Sequence, residues 1–171
     1  MSTLALRQKL IDIHRRNVGK TEVSRNRAPW IKPLWAATSY PDGMENREPY
    51  CAAGQCWGLR EWLRLPAVLA ALGMTPAAAE KWRCKSAGAF AWGHWAWDKG
   101  LTMLDEDDVF HTGDIVIFRR SHIEIYVDDL PGSKFTAIGY NTNSAGARDG
   151  EGCFEKPRPR ADIKEVVRIL P

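Results

Sequence analysis

The chain has 171 residues, 44% hydrophobic and 26% charged, with a formal net charge of +3 and a pI near 8.7. That length suits a single domain with a core of its own. The small basic excess excludes a dedicated nucleic-acid binder and mildly favours contact with an anionic surface. No stretch approaches the ~20 apolar residues of a membrane span, and no repeat or linker divides the chain, so one domain over residues 1–171 is expected.

In chain order, Leu6, Leu10, Ile13 and Asn17 fall at helical spacing, which predicts an amphipathic surface helix over about 3–17 that carries His14. A shorter helix is expected over Ala28–Ala37, with Pro29 in its first turn and Pro33 limiting its regularity. Residues 38–49 are turn-rich and read as a loop. The next helix should start near Pro49 and end by Leu65, because Pro suits a first turn and Pro66 stops it. Helical pieces continue over 66–72 and 76–98, punctuated by glycines. From Gly113 the period changes. Asp114–Phe118 is a compact apolar strand, and in His122–Val127 apolar and polar residues alternate. Lys134–Tyr140, Cys153–Glu155 and Ile163–Leu170 complete about five strands. Helices first and antiparallel strands later predict an α+β fold.

Eight tryptophans, four of them crowded at Trp82, Trp92, Trp95 and Trp97, read as core plus a few exposed rings, with a sugar- or peptide-binding groove as the other reading. The four cysteines form no CxxC pair, which argues against structural zinc. Cys51 and Cys56 on one helix would stand about 8 Å apart at Cα, beyond the ~7 Å limit of a disulfide. Free thiols fit a chain made in a reducing cytoplasm. The acidic run Asp105–Asp108 lacks the spaced ligands of a calcium loop and reads as a solvated turn, and Asp114 as a turn cap. No metal or cofactor is expected.

Cys51 stands where a helix should begin, beside Ala52, Ala53 and Gly54. A thiol in a first helical turn meets the positive end of the dipole and unpaired backbone N–H groups, which favour thiolate and can bind an oxyanion. The small neighbours leave room for a substrate. Read on spacing alone, a buried inert thiol is the commoner reading of such a cysteine. His122 opens a strand, from which a side chain can reach a helix packed on the sheet. It is the candidate base, since His14, His94 and His111 lack comparable placement. Tyr50, before the cysteine, and Gln55, one turn after it, are candidate substrate contacts; for Gln55, packing at the core boundary is the other reading.

Pro49-Tyr-Cys-Ala-Ala-Gly-Gln-Cys-Trp57 resembles the nucleophile segment of CHAP domains, within the broader NlpC/P60 papain-like group. Thr112–Phe118 and Ser121–Val127 resemble that family's strand before the histidine and its histidine strand. Asn141–Asn143 with Asp149–Gly152 resembles its closing segment, and Gly19–Glu22 with Asn26–Trp30 a common lead-in. Each motif is weak alone; the ordered set, over about residues 15–160, is fairly specific. The resemblance implies a papain-like fold and a cysteine amidase or endopeptidase acting on peptidoglycan stem peptides, with Cys51 as nucleophile, His122 as base and a third polar residue orienting His122. Many members place a Glu two positions before the closing Asn, where this chain has Gly139. Asn141 and Glu124 are the two replacements, and water is a third alternative. The opening segment does not read as a signal peptide. Action at the cell wall or in the periplasm would then require delivery by phage lysis machinery, a virion or a secretion system, with a delivery or immunity protein as partner. The alternatives are an inactive wall-binding or structural module on the same fold, and a cysteine acyltransferase or hydrolase of another small amide.

Overall fold

The computed structural model describes residues 2–143 and 150–170. Six α-helices precede a six-stranded antiparallel sheet, the expected α+β order. The helices are α1 (Thr3–Arg15), α2 (Lys32–Trp35), α3 (Cys51–Trp62), α4 (Pro66–Leu72), α5 (Pro76–Trp82) and α6 (Ala91–Asp98). The strands are β1 (Thr102–Leu104), β2 (Ile115–Phe118), β3 (His122–Leu130), β4 (Lys134–Thr142), β5 (Gly152–Pro159) and β6 (Ile163–Arg168), in the spatial order β1-β6-β2-β3-β4-β5.

Three differences from the sequence reading have local causes. The helix expected over 28–37 splits into a 3₁₀ turn, Pro29–Ile31, and the short α2, because Pro33 supplies no N–H to a continuous ladder. The region 76–98 divides into α5 and α6, separated by the Gly88-containing segment. A sixth strand, β1, adds to the sheet edge by pairing Thr102–Leu104 with Val166–Arg168; three residues carry too little periodicity to be read without that partner.

Both faces of the sheet carry buried side chains. Ile115, Ile117, Ile123, Ile125, Ile138 and Tyr140 pack with residues of α1 and α3 in the main core. The alternate residues Val116, Phe118, Tyr126 and Phe135 form a smaller cluster with Phe110 and Val166. Two glycines on one face of α3 set the closeness of the main packing. A methyl at Gly54 would run into the Tyr140 ring, and one at Gly58 into His14. This close approach buries His14 completely, against the expected surface position. Its Nδ1 lies 3.0 Å from the Tyr140 hydroxyl. Burial lowers the His14 pKa to about 3, so the ring is neutral at ordinary pH.

The tryptophans are mostly core. Trp35, Trp62 and Trp92 are buried, Trp82 and Trp95 meet edge to face, and Trp97 is exposed. Asp114 caps its turn by accepting from the His111 N–H at 2.8 Å, and it also bonds the buried Arg7 and the half-buried Arg168. Asp105 and Asp108 close a turn by bonding backbone N–H groups. Among the described residues no helix is long and apolar enough to cross a membrane, and no His/Cys/Asp/Glu group is arranged to hold a metal ion.

Candidate active site

Cys51 is the first residue of α3, and no side chain caps that helix end. The first-turn N–H groups therefore keep their donor capacity, since an α-helix leaves them without intrahelical acceptors. Packing of α3 on β3 and β4 fixes the position of this end. Cys51 forms part of a cavity of about 240 Å³ whose walls include Trp35, Tyr40, Glu48, Pro49, Ala87–Ala89 and Ser121. A larger hollow of about 670 Å³ adjoins it at Pro49, with Glu22, Arg25, Asn26, Asn141 and Glu151 in its walls.

A three-residue hairpin loop carries the chain from β2 to β3. Its last residue, Ser121, has φ +56°, the left-handed conformation that such loops use to re-enter a strand. His122 follows at the very end of the sheet, opposite Phe118 and only 5% exposed. Its Nε2 lies 2.9 Å from Glu124 Oε1. Nε2 is committed to Glu124, while Nδ1 is buried without a hydrogen-bond partner among the described residues and is the ring nitrogen left to serve the nearby Cys51 thiol. Burial by itself lowers the His122 pKa, but the nearby Cys51 thiol and the hydrogen bond and negative charge of Glu124 outweigh it. The net effect raises the pKa to about 9, so the imidazole is protonated at neutral pH.

Glu124 is fully buried on the same strand face as His122, two residues on. It pairs across strands with Gly139, and its carboxylate occupies the space that a side chain at 139 would fill. Burial pushes the Glu124 carboxyl up. Hydrogen bonds from His122 and Arg158 and their charges overcome that and hold it below its ordinary value. Arg158, not singled out from the sequence, donates from Nε to Glu124 Oε2 at 2.8 Å and from Nη2 to Glu124 Oε1. Its only sequence signal is an arginine between Pro157 and Pro159, a pattern that does not reveal a buried partner 34 residues away.

Three expectations need correction. Asn141 forms no hydrogen bond with His122. It sits at a β4–β5 irregularity with φ +54°, which breaks the alternation that was to carry its side chain toward the ring. Its Oδ1 is buried without a partner among the described residues. Tyr50 presents no side chain to either hollow. It is fully buried, its hydroxyl donates to Glu22 Oε1 at 3.0 Å, and its ring meets Trp30 edge to face. Gln55 is 1% exposed and lines neither hollow; both ends of its amide lack partners among the described residues. Of the closing segment, Asp149 lies outside the described residues. The lead-in residue Glu22 anchors Tyr50 and accepts from the Asn26 N–H at 2.7 Å, so it shapes the approach to α3.

Neither the family models nor the curated proteins searched match this sequence.

Proposed function

We propose that the chain is a cysteine hydrolase of amide bonds, with Cys51 as nucleophile, His122 as acid and base, and Glu124 as the residue that orients His122. One observation carries the reading. A thiol at an uncapped helix start lines a cavity and lies near a buried imidazole that a buried carboxylate holds at 2.9 Å. The resemblance of the ordered motifs to CHAP and NlpC/P60 domains supports peptidoglycan stem peptide as the substrate class.

The chemistry follows from the geometry. The Cys51 sulfur, as thiolate beside the His122 imidazolium, attacks the amide carbonyl carbon. The C–N double-bond character is lost and an oxyanion forms, for which the first-turn N–H groups of α3 are the nearest ready donors. The imidazolium gives its proton to the departing nitrogen, the C–N bond breaks, and an amine leaves behind a thioester on Cys51. The neutral imidazole then takes a proton from water as that water attacks the thioester. Collapse releases a carboxylic acid and restores the thiolate–imidazolium pair. Throughout, Glu124 holds Nε2–H, which fixes the tautomer and offsets the imidazolium charge. No step calls for a metal.

The alternative of an inactive wall-binding module draws its force from the missing carboxylate at position 139. The Glu124 carboxylate lying over that glycine supports the active reading instead. Incubating purified muropeptides with the wild type and with Cys51→Ala, followed by mass spectrometry, tests the proposal. Hydrolysis products are expected with the wild type alone, and their masses identify the bond. Muropeptides that stay intact with both proteins would overturn the hydrolase reading for this substrate class.

A further inference from the structure

We propose that Arg158 is a positioning residue of this site, a buried guanidinium that grips Glu124 from the sheet edge and so sets the orientation in which Glu124 holds the His122 ring. The inference takes the Cys51–His122–Glu124 reading as its frame and adds a fourth member from a different strand.

The contacts are those of a clamp. Arg158 is 8% exposed and Glu124 is not exposed at all. Nε donates to Oε2 at 2.8 Å, Nη2 donates to Oε1, and Nη2 also donates to Thr142 Oγ1 at 3.0 Å. Oε1 thus receives both Arg158 and His122. A carboxylate held by the imidazole alone could turn about its terminal bond and carry the ring with it. Two parallel N–H bonds from a planar fork remove that freedom. The arginine also supplies the charge that a fully buried carboxylate needs when His122 passes through its neutral form during turnover. Without it, Glu124 would at that moment be a buried anion with no cation beside it among the described residues.

The backbone that carries Arg158 is unusually stiff for an edge strand. Pro157 and Pro159 flank it, opposite Thr136 and Lys134, while Arg158 itself pairs with Phe135. Each proline fixes its own φ and drives the preceding residue to extended geometry, so Pro159 constrains Arg158 directly. Two missing N–H groups are tolerable in β5 because it is the outermost strand of the sheet. The Thr142 contact ties the same guanidinium to the end of β4. A side chain needed only for solubility at the edge would require none of this.

The test uses the full chain with Arg158→Met and Arg158→Lys. The primary readout needs no substrate: the NMR signal of the His122 Nε2 proton, shifted downfield by its bond to Glu124, and the 15N titration of that ring. Arg158→Met should lose or broaden the signal, and Arg158→Lys, which restores charge without the fork, should recover it only in part. Where turnover is measurable, kcat should fall by roughly 10–100-fold in Arg158→Met, below the ~10²–10⁴-fold of general acid–base help, with KM within about twofold. If Arg158→Met does not fold, Arg158→Lys decides the matter. A folded Arg158→Lys with the wild-type ring signal, titration and kcat overturns the proposal. Absence of turnover in the wild type counts against the hydrolase reading alone, because the ring signal still reports on Arg158.

Discussion

Glu124 and Gly139 face each other across β3 and β4, and the carboxylate of one fills the space that the other leaves empty. On the proposed function, the carboxylate that many members of the resembled family carry on the later strand would here come from the neighbouring strand, two residues after the histidine. The glycine is therefore part of the arrangement, since a side chain at 139 would meet Glu124 directly.

This relationship predicts the outcome of a swap. Gly139→Ala should lower turnover by displacing the Glu124 carboxylate, and Glu124→Gln by weakening the hold on the imidazolium, within the ~10²–10⁴-fold range of acid–base assistance. The double variant Glu124→Gly with Gly139→Glu should recover part of the activity lost in Glu124→Gly. Muropeptide turnover of the set checks this. A double variant no better than Glu124→Gly would show that position 139 cannot deliver a carboxylate to His122.

The raised His122 pKa predicts an alkaline limb of activity near pH 9, where the imidazolium that must protonate the leaving amine is lost. Burial opposes the charged ring, while the Cys51 and Glu124 interactions favour it. Removing the Glu124 charge in Glu124→Gln should therefore move the limb to lower pH. A kcat/KM profile over pH 5–10 reads both effects. An unmoved limb in Glu124→Gln would mean that Glu124 does not set the His122 proton affinity.

Stability should peak near pH 6.5, for opposite reasons in two histidines. His122 has a folded pKa raised from 6.5 to about 9, so its contribution is full below 6.5 and fades as pH climbs toward 9. His14 has a folded pKa lowered to about 3. Below pH 6.5 the unfolded chain takes up a proton that folded His14 refuses, so stability falls as pH drops. Each slope amounts to on the order of 1 kcal/mol or more. Thermal melts across pH should flatten between pH 6.5 and 4.5 in His14→Gln, and on the alkaline side in His122→Gln.

Gly54→Ala should destabilise the fold by about 1–3 kcal/mol through overpacking against Tyr140. It should also lower activity, because Gly54 lies one turn from Cys51 and a raised α3 would carry the thiol away from His122. Melting and turnover measured together check this. Gly54→Ala with wild-type values in both would show that Tyr140 yields without moving the helix.

Limited iodoacetamide at near-neutral pH should label Cys51 first, because it lines a cavity at the start of α3 and lies near the His122 imidazole, whose pKa is raised. Burial and the Cys84 contact push the Cys56 thiol up, and burial does the same at Cys153. Cys84, whose thiol is lowered by a hydrogen bond from Cys56, is the informative competitor. Peptide mapping that finds Cys84 modified before Cys51 would count against the nucleophile assignment.

By itself the sequence determined whatever depends on a few consecutive residues. Helical spacing set α1, the Pro49–Pro66 interval bounded α3, and alternation set β3 and put Glu124 on the face of His122. The ordered motifs pointed to Cys51 and His122. Tertiary structure decided the rest, because those features depend on which strands pair and in what register. The pairing of Glu124 with Gly139 aimed the carboxylate at His122, while a β4–β5 irregularity turned Asn141 away. Two glycines on α3 let the helix close on the sheet and bury His14, which its own helix pattern placed at the surface. Arg158 reaches Glu124 from β5 across β4, a contact between residues 34 apart that no local period encodes. Periodicity is a property of the neighbouring chain; a buried ion pair between strands exists only once the sheet has formed.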